Sequence, residues 1–158
     1  MVPEDRLAAL RVRFDSAVLD LRGLLLDLRG DDWARVCSGD GWPVALEGLH
    51  VALGYRRQGG FLDDAFVRGT PNRFSWDETN DLNAQIARRR RPDPRFVLRF
   101  LEEEAGRMHD RLAAFAPSDL ARPTIHYEGR VLTLDQFIRG FVIGHTEGHT
   151  ASIRGALA

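Results

Sequence analysis

The sequence contains one cysteine and no lysine. With Cys37 alone, neither a disulfide within the chain nor a cysteine-rich zinc site can form. All 22 basic residues are arginines, which excludes a mechanism that uses a lysine Schiff base. The formal net charge is −1, so we expect no general electrostatic attraction to nucleic acid or to an anionic membrane.

Long apolar runs are also missing. No stretch approaches the roughly 18 apolar residues of a membrane-spanning helix. The N-terminus is charged from Glu4 onward and lacks a signal-like apolar core, so we expect a cytoplasmic location. An apolar share of 44% and a charged share of 28% are typical of a globular protein. The length of 158 residues suits one domain over residues 1–158.

Apolar residues recur with helical spacing in the first half of the chain. One helix is predicted from about residue 4 to Arg29, where Gly30 provides a stop. Pro43 suits the start of a second helix, which the glycines at 59 and 60 should weaken. We therefore predict an irregular connection over residues 61–74.

The second half carries clear helix-start signals. Ser75 and Glu78 predict a short helix over residues 77–89, and Asp93 followed by Pro94 predicts a long one. Residues 124–134 alternate around Glu128 and Gly129, which indicates a small hairpin or an extended arm before a last helix that begins near Leu134. The predicted fold class is all-α: a four-helix bundle with one longer crossover, an extra short helix and a small β-hairpin.

The pair His145 and His149 stands near the C-terminus, four residues apart on that last helix. One helical turn separates them, so both imidazoles project from the same face. That face is otherwise apolar, and burying imidazoles there is costly unless their ring nitrogens are satisfied. A divalent metal would satisfy them, as would hydrogen bonds within an ordinary core, and the spacing alone leaves both alternatives open.

His50 supplies a third core-facing imidazole, from the second helix. Three histidines from two facing helices can occupy three corners of a tetrahedron and leave the fourth for water or substrate. His109 is surrounded by charged residues and is expected in solvent. Glu147 lies two residues after His145, so it points away from the histidine pair and excludes an H-E-x-x-H protease arrangement.

Three segments together resemble the DinB-like (damage-inducible) superfamily, which includes mycothiol- and bacillithiol-linked transferases and the maleylpyruvate isomerase N-domain. They are GWPVALEGLHVALGYRR, WDETNDLNAQIARRR and VLTLDQFIRGFVIGHTEGHTASIR. The resemblance implies a four-helix bundle that holds a divalent metal, commonly zinc or nickel, through His50, His145 and His149. It also makes a homodimer plausible, and it assigns no catalytic residue.

Two functions are compatible with such a metal. The first is a thiol S-transferase or hydrolase, which would act on a small molecule, with a low-molecular-weight thiol as cosubstrate in the transferase. The second is a non-catalytic metal-stabilised or ligand-binding module, which a fourth ligand such as Asp40 would favour. Arg56 and Arg57 either hold an anionic substrate or form a solvated helix end. The run over residues 88–91 fits a helix C-terminus better than a nucleic-acid site.

Overall fold

The computed structural model describes residues 3–89 and 91–158, so Arg90 of the arginine run lies outside the described residues. Within them, four long helical elements form a bundle, and a shorter helix and a small sheet lie in the connections. The helices are α1 (Pro3–Asp27), α2 (Val44–Phe66), α3 (Trp76–Ala87), α4 (Pro94–Ala114), α5 (Leu134–Phe137) and α6 (His145–Leu157). A π-helical segment, Ile138–Gly144, joins α5 to α6, and the three together are called the C-terminal helix below.

The helices begin where the capping residues predict. Ser75 caps α3 and Asp93 caps α4, each accepting a hydrogen bond from a backbone N–H of the first turn. Thr133 and Gln136 form a reciprocal capping box at the start of α5. The short helix, the long fourth helix and the start of the last one are therefore confirmed.

Ion pairs between helices show the direction in which each helix runs. Arg13 on α1 pairs with Glu147 on α6, and Asp20 pairs with Arg154, so these two helices are parallel. By the same reasoning α2 is parallel to α4, from the pairs Arg56–Glu104 and Asp63–Arg111. The pairs Arg22–Glu102 and Asp15–His109 show that α4 is antiparallel to α1. The order is up-down-down-up, which requires the predicted long crossover between α2 and α4.

The second helix is longer than predicted. It continues through Gly59 and Gly60 to Phe66, where the sequence predicted an irregular connection from residue 61. The guanidinium of Arg111 on α4 lies over Gly59 and pairs with Asp63 one turn later. Packing against α4 thus outweighs the low helix propensity of the two glycines.

The predicted hairpin is confirmed, and a third strand joins it. β2 (Pro123–Tyr127) and β3 (Arg130–Thr133) pair antiparallel across Glu128 and Gly129, whose positive φ angles of 46° and 78° are those of a type I′ turn. β1 (Asn72–Arg73) adds to β2 in parallel and was not predicted, because two residues carry no periodicity. Every helix of the described segments is too short or too polar to cross a bilayer.

Candidate metal centre

Two antiparallel bundle elements, α2 and the C-terminal helix, bring His50, His145 and His149 together as the histidine triad. The Nε2 atoms of His50 and His145 are 2.9 Å apart, and one ligand nitrogen from each ring lies within 4.8 Å of the others. Zn–N bonds of about 2.0–2.1 Å would separate two tetrahedral ligands by roughly 3.3 Å. The three imidazoles therefore have the spacing of a group that could hold one metal ion.

Burial keeps two of these imidazoles neutral. The pKa of His50 is lowered to about 4, first by burial and then by the neighbouring His149 ring, against a smaller opposing effect of Glu47. The pKa of His145 is lowered well below its usual range by burial and by the other two rings. A neutral imidazole is the form that donates a lone pair to a metal, so both rings are in the ligand form at neutral pH.

A buried carboxylate orients the third imidazole. His149 donates its Nδ1 proton to Glu47 Oε1 at 2.8 Å, which leaves Nε2 with the lone pair. Glu47 is only 1% exposed, and its Oε2 atom has no hydrogen-bond partner within the described part of the chain. The sequence reasoning missed this residue. Its signal was the spacing E-x-x-H, which places Glu47 on the same face of α2 as His50.

A glycine on α2 provides the space that the His145 ring occupies. A Cβ atom on Gly54 would lie 2.8 Å from Cε1 of His145 and 3.3 Å from its Nδ1 atom. Gly54 stands one turn after His50 on the same face. A side chain at position 54 would push the His145 imidazole away from His50 and His149. The site therefore requires glycine at this position.

The π-helical segment ends directly before His145, and side chains of α2 and α6 satisfy two of its carbonyls. Gln58 donates a hydrogen bond to the carbonyl of Phe141, and the Thr146 hydroxyl donates to that of Val142 at 2.9 Å. The Thr146 hydroxyl also bonds the buried Tyr55 hydroxyl at 2.7 Å. A π-helical turn changes the face that the following residues present, and such turns are frequent at functional sites.

Three residues that precede α2 lie near the triad or near its supporting carboxylate, Glu47. The Trp42 ring lies edge-on to the His50 ring at 5.2 Å between centroids. The Asp40 carboxylate groups with Glu47 and His149 rather than with the triad as a whole. Cys37 is fully buried, and burial first, then Glu47, raises the pKa of its thiol to about 11, which makes it a poor nucleophile.

The remaining candidates lie elsewhere. As the spacing predicts, Glu147 points away from the triad and pairs with Arg13 of α1 on the surface. His109 is exposed and bonds Asp15 at 2.9 Å, and His126 is exposed on β2. Asn80 and Asn83 lie on α3, outside the triad group.

The residues present fit a divalent metal. Burial keeps the imidazoles of His50 and His145 neutral, and a buried carboxylate fixes that of His149. Three imidazoles are a set of nitrogen donors that zinc and nickel accept. The model of the DinB superfamily matches residues 13–153, which is most of the chain. The chain belongs to the DinB superfamily. Comparisons with curated proteins and with solved structures gave no significant match.

Proposed function

We propose that this DinB-superfamily protein binds one divalent metal, zinc or nickel, through His50, His145 and His149 and acts as a thiol S-transferase or hydrolase. The observation that carries the proposal is that three imidazoles, His50, His145 and His149, converge in one group of possible ligands in the described part of the chain. Three protein ligands with one further position are typical of catalytic zinc sites, whereas structural sites have four protein ligands.

The reaction would take place at the coordination position of the metal that the three histidines leave open. When bound, the metal supplies a Lewis acid that activates water or lowers the pKa of a small thiol. The chain contributes the neutral state of His50 and His145, and it fixes His149 through Glu47. All three imidazoles are partly exposed, which supports access of a small molecule from solvent.

One observation favours the non-catalytic alternative. Asp40 lies in a second group with Glu47 and His149, so its carboxylate is near the triad. If it became the fourth ligand, the metal would join α2 to the C-terminal helix and stabilise the fold without an open position. Binding of a small thiol to the metal-loaded protein distinguishes these functions, since a closed site would not change its ligands.

The test replaces the metal of the purified protein with cobalt and records the visible absorption spectrum during titration with small thiols. We expect a sulfur-to-cobalt charge-transfer band to develop, and conjugation of the same thiols to chlorodinitrobenzene to accelerate. His145→Ala should remove both signals, whereas the exposed His126→Ala should keep them. A cobalt spectrum that no thiol or substrate analogue changes would contradict the enzyme and favour the closed module.

A further inference from the structure

A line of partly exposed positions runs along α2 from the triad toward the far end of the helix. They recur at helical spacing on one face and are His50, Leu53, Gly54, Arg57 and Phe61. Facing them on the C-terminal helix are the partly exposed Phe141, Gly144, His145 and His149. We call the partly exposed surface that these two lines form, where Gly54 contacts the His145 ring, the α2 groove. It is apolar between its ends, with imidazoles at one end and a guanidinium at the other.

Arg57 is a cation whose charge is incompletely balanced. Its Nη1 donates to the Thr79 hydroxyl at 2.9 Å, but its Nη2 is buried and has no hydrogen-bond acceptor among residues 3–89 and 91–158. The nearest carboxylate oxygen, on Glu78, is 3.6 Å away and belongs to a largely exposed side chain. Burial lowers the pKa of Arg57 more than Glu78 raises it.

The adjacent Arg56 shows what a structural arginine looks like in this helix. Two of its nitrogens bond Glu104 of α4, a carboxylate that is almost fully buried, at 3.0 and 2.7 Å. Arg57 instead lies over the Phe61 and Phe74 rings, 5.3 and 5.7 Å from their centroids. Phe74 also contacts Phe141, at 5.3 Å between ring centroids, and so links Arg57 to the wall of the groove.

We propose that the α2 groove binds an elongated small molecule with a carboxylate at one end, which Arg57 holds, and its reacting group at the triad. His50 and Arg57 are separated by two helical turns, so the two groups of the ligand lie roughly 10 Å apart. The apolar middle of the ligand packs on Leu53, Phe141 and Phe74. The identity of the reacting end rests on the proposed function, whereas the carboxylate end rests on Arg57 alone.

The experiment measures binding of octanoate, octanol and mercaptooctanoate to the metal-loaded full chain by calorimetry. We expect octanoate to bind more tightly than octanol, and Arg57→Gln to weaken octanoate by about tenfold or more, because a hydrogen-bonded charge pair is lost. Arg56→Gln is the matched control and should change octanoate affinity less than about twofold. Glu78→Gln should tighten it, because a competing carboxylate is removed.

The outcomes separate the two proposals. Equal octanoate affinity in the wild type and Arg57→Gln, an equal loss in Arg56→Gln, or no octanoate binding by the wild type would each overturn the Arg57 site. If mercaptooctanoate binds no better than octanoate while Arg57→Gln still weakens both, the triad proposal fails and the Arg57 site stands. Arg57→Lys, which keeps the charge, should recover part of the affinity, and thermal unfolding confirms that each variant is folded.

Discussion

Glu47 shows how one side chain controls the geometry of the candidate centre. It is a carboxylate on the buried face of α2, and its only described hydrogen bond fixes the His149 ring. A carboxylate in this position fixes the tautomer of a ligating histidine and increases its basicity. The site therefore depends on a residue that would not itself touch the metal.

We predict that Glu47→Gln weakens metal affinity by about 10–100-fold, the range found for such supporting carboxylates. The amide keeps the size of the side chain but removes its charge. Competition for zinc with a chromogenic chelator measures the effect. Glu102→Gln, which alters an exposed glutamate paired with Arg22, is the control and should leave affinity unchanged. Equal affinities in the wild type and both variants would show that Glu47 plays no part.

We also predict opposite outcomes for two glycines of α2. Gly54→Ala places a Cβ against the His145 ring and should weaken metal binding and destabilise the protein. Gly60→Ala meets no atom within 4 Å, so it should stabilise the helix by about 0.5–1 kcal/mol. Denaturant unfolding and metal titration of both variants check this. A Gly54→Ala variant with the metal affinity and the free energy of unfolding of the wild type would contradict the assigned role of that glycine.

The triad could be predicted from the sequence to a large extent, but its surroundings could not. His145 and His149 are four residues apart, so helix geometry predicts that they share one face. Glu47 and His50 are three residues apart, so the same geometry places them on one face of α2. Gly54 could not be identified in this way, because its importance depends on a ring from another helix. Whether the three histidines ligate a metal remains a prediction.

At the scale of elements, the start of the C-terminal helix is fixed by a buried carboxylate. Asp135 accepts two hydrogen bonds from Arg6 of α1, at 2.6 and 2.7 Å, and two more from Arg139. Burial by itself raises the pKa of Asp135, but the hydrogen bonds from the two arginines outweigh it and lower the pKa. This network holds the start of the C-terminal helix against α1.

The lowered pKa predicts how this element responds to acid. The stabilisation by Asp135 is complete above its unfolded pKa of about 4 and is lost as pH falls through the lower folded value. Asp135→Asn should reduce the free energy of unfolding by about 1–3 kcal/mol at neutral pH and flatten the acid decline. Urea unfolding over a pH series measures both effects.

The matched control is Asp20→Asn, which breaks an exposed pair with Arg154 between the same two helices. Exposed pairs contribute about 0–1 kcal/mol, so this variant should remain near the wild type. If Asp135→Asn kept the acid slope of the wild type, the arginine network would not be the cause of that slope.

Helix starts were predictable because capping is local, whereas helix continuity was not. Ser75, Asp93 and Thr133 cap their helices as predicted. The extension of α2 through Gly59 depends on Arg111 from α4, and the π-helical segment depends on Gln58 from α2. Contacts between distant segments decide both features, and no local pattern reports them.

At the scale of the whole molecule, the up-down-down-up bundle places the triad across two elements that are distant in sequence. α2 and the C-terminal helix are antiparallel there, so a metal at the triad would link them. Chelation should therefore lower the melting temperature, by about 2–4 °C for each kcal/mol of binding free energy lost. His145→Ala should melt at the same temperature with and without chelator, and a wild type that behaves likewise would contradict the link.

Elemental analysis is the most direct test of the central claim that the triad binds a metal. The wild type, His145→Ala and His126→Ala are purified in parallel without added metal or chelator. We predict about one zinc or nickel ion per chain in the wild type and in His126→Ala, and close to none in His145→Ala. A wild type that carries no metal and takes up none, or a His145→Ala variant with the full metal content, would contradict the account.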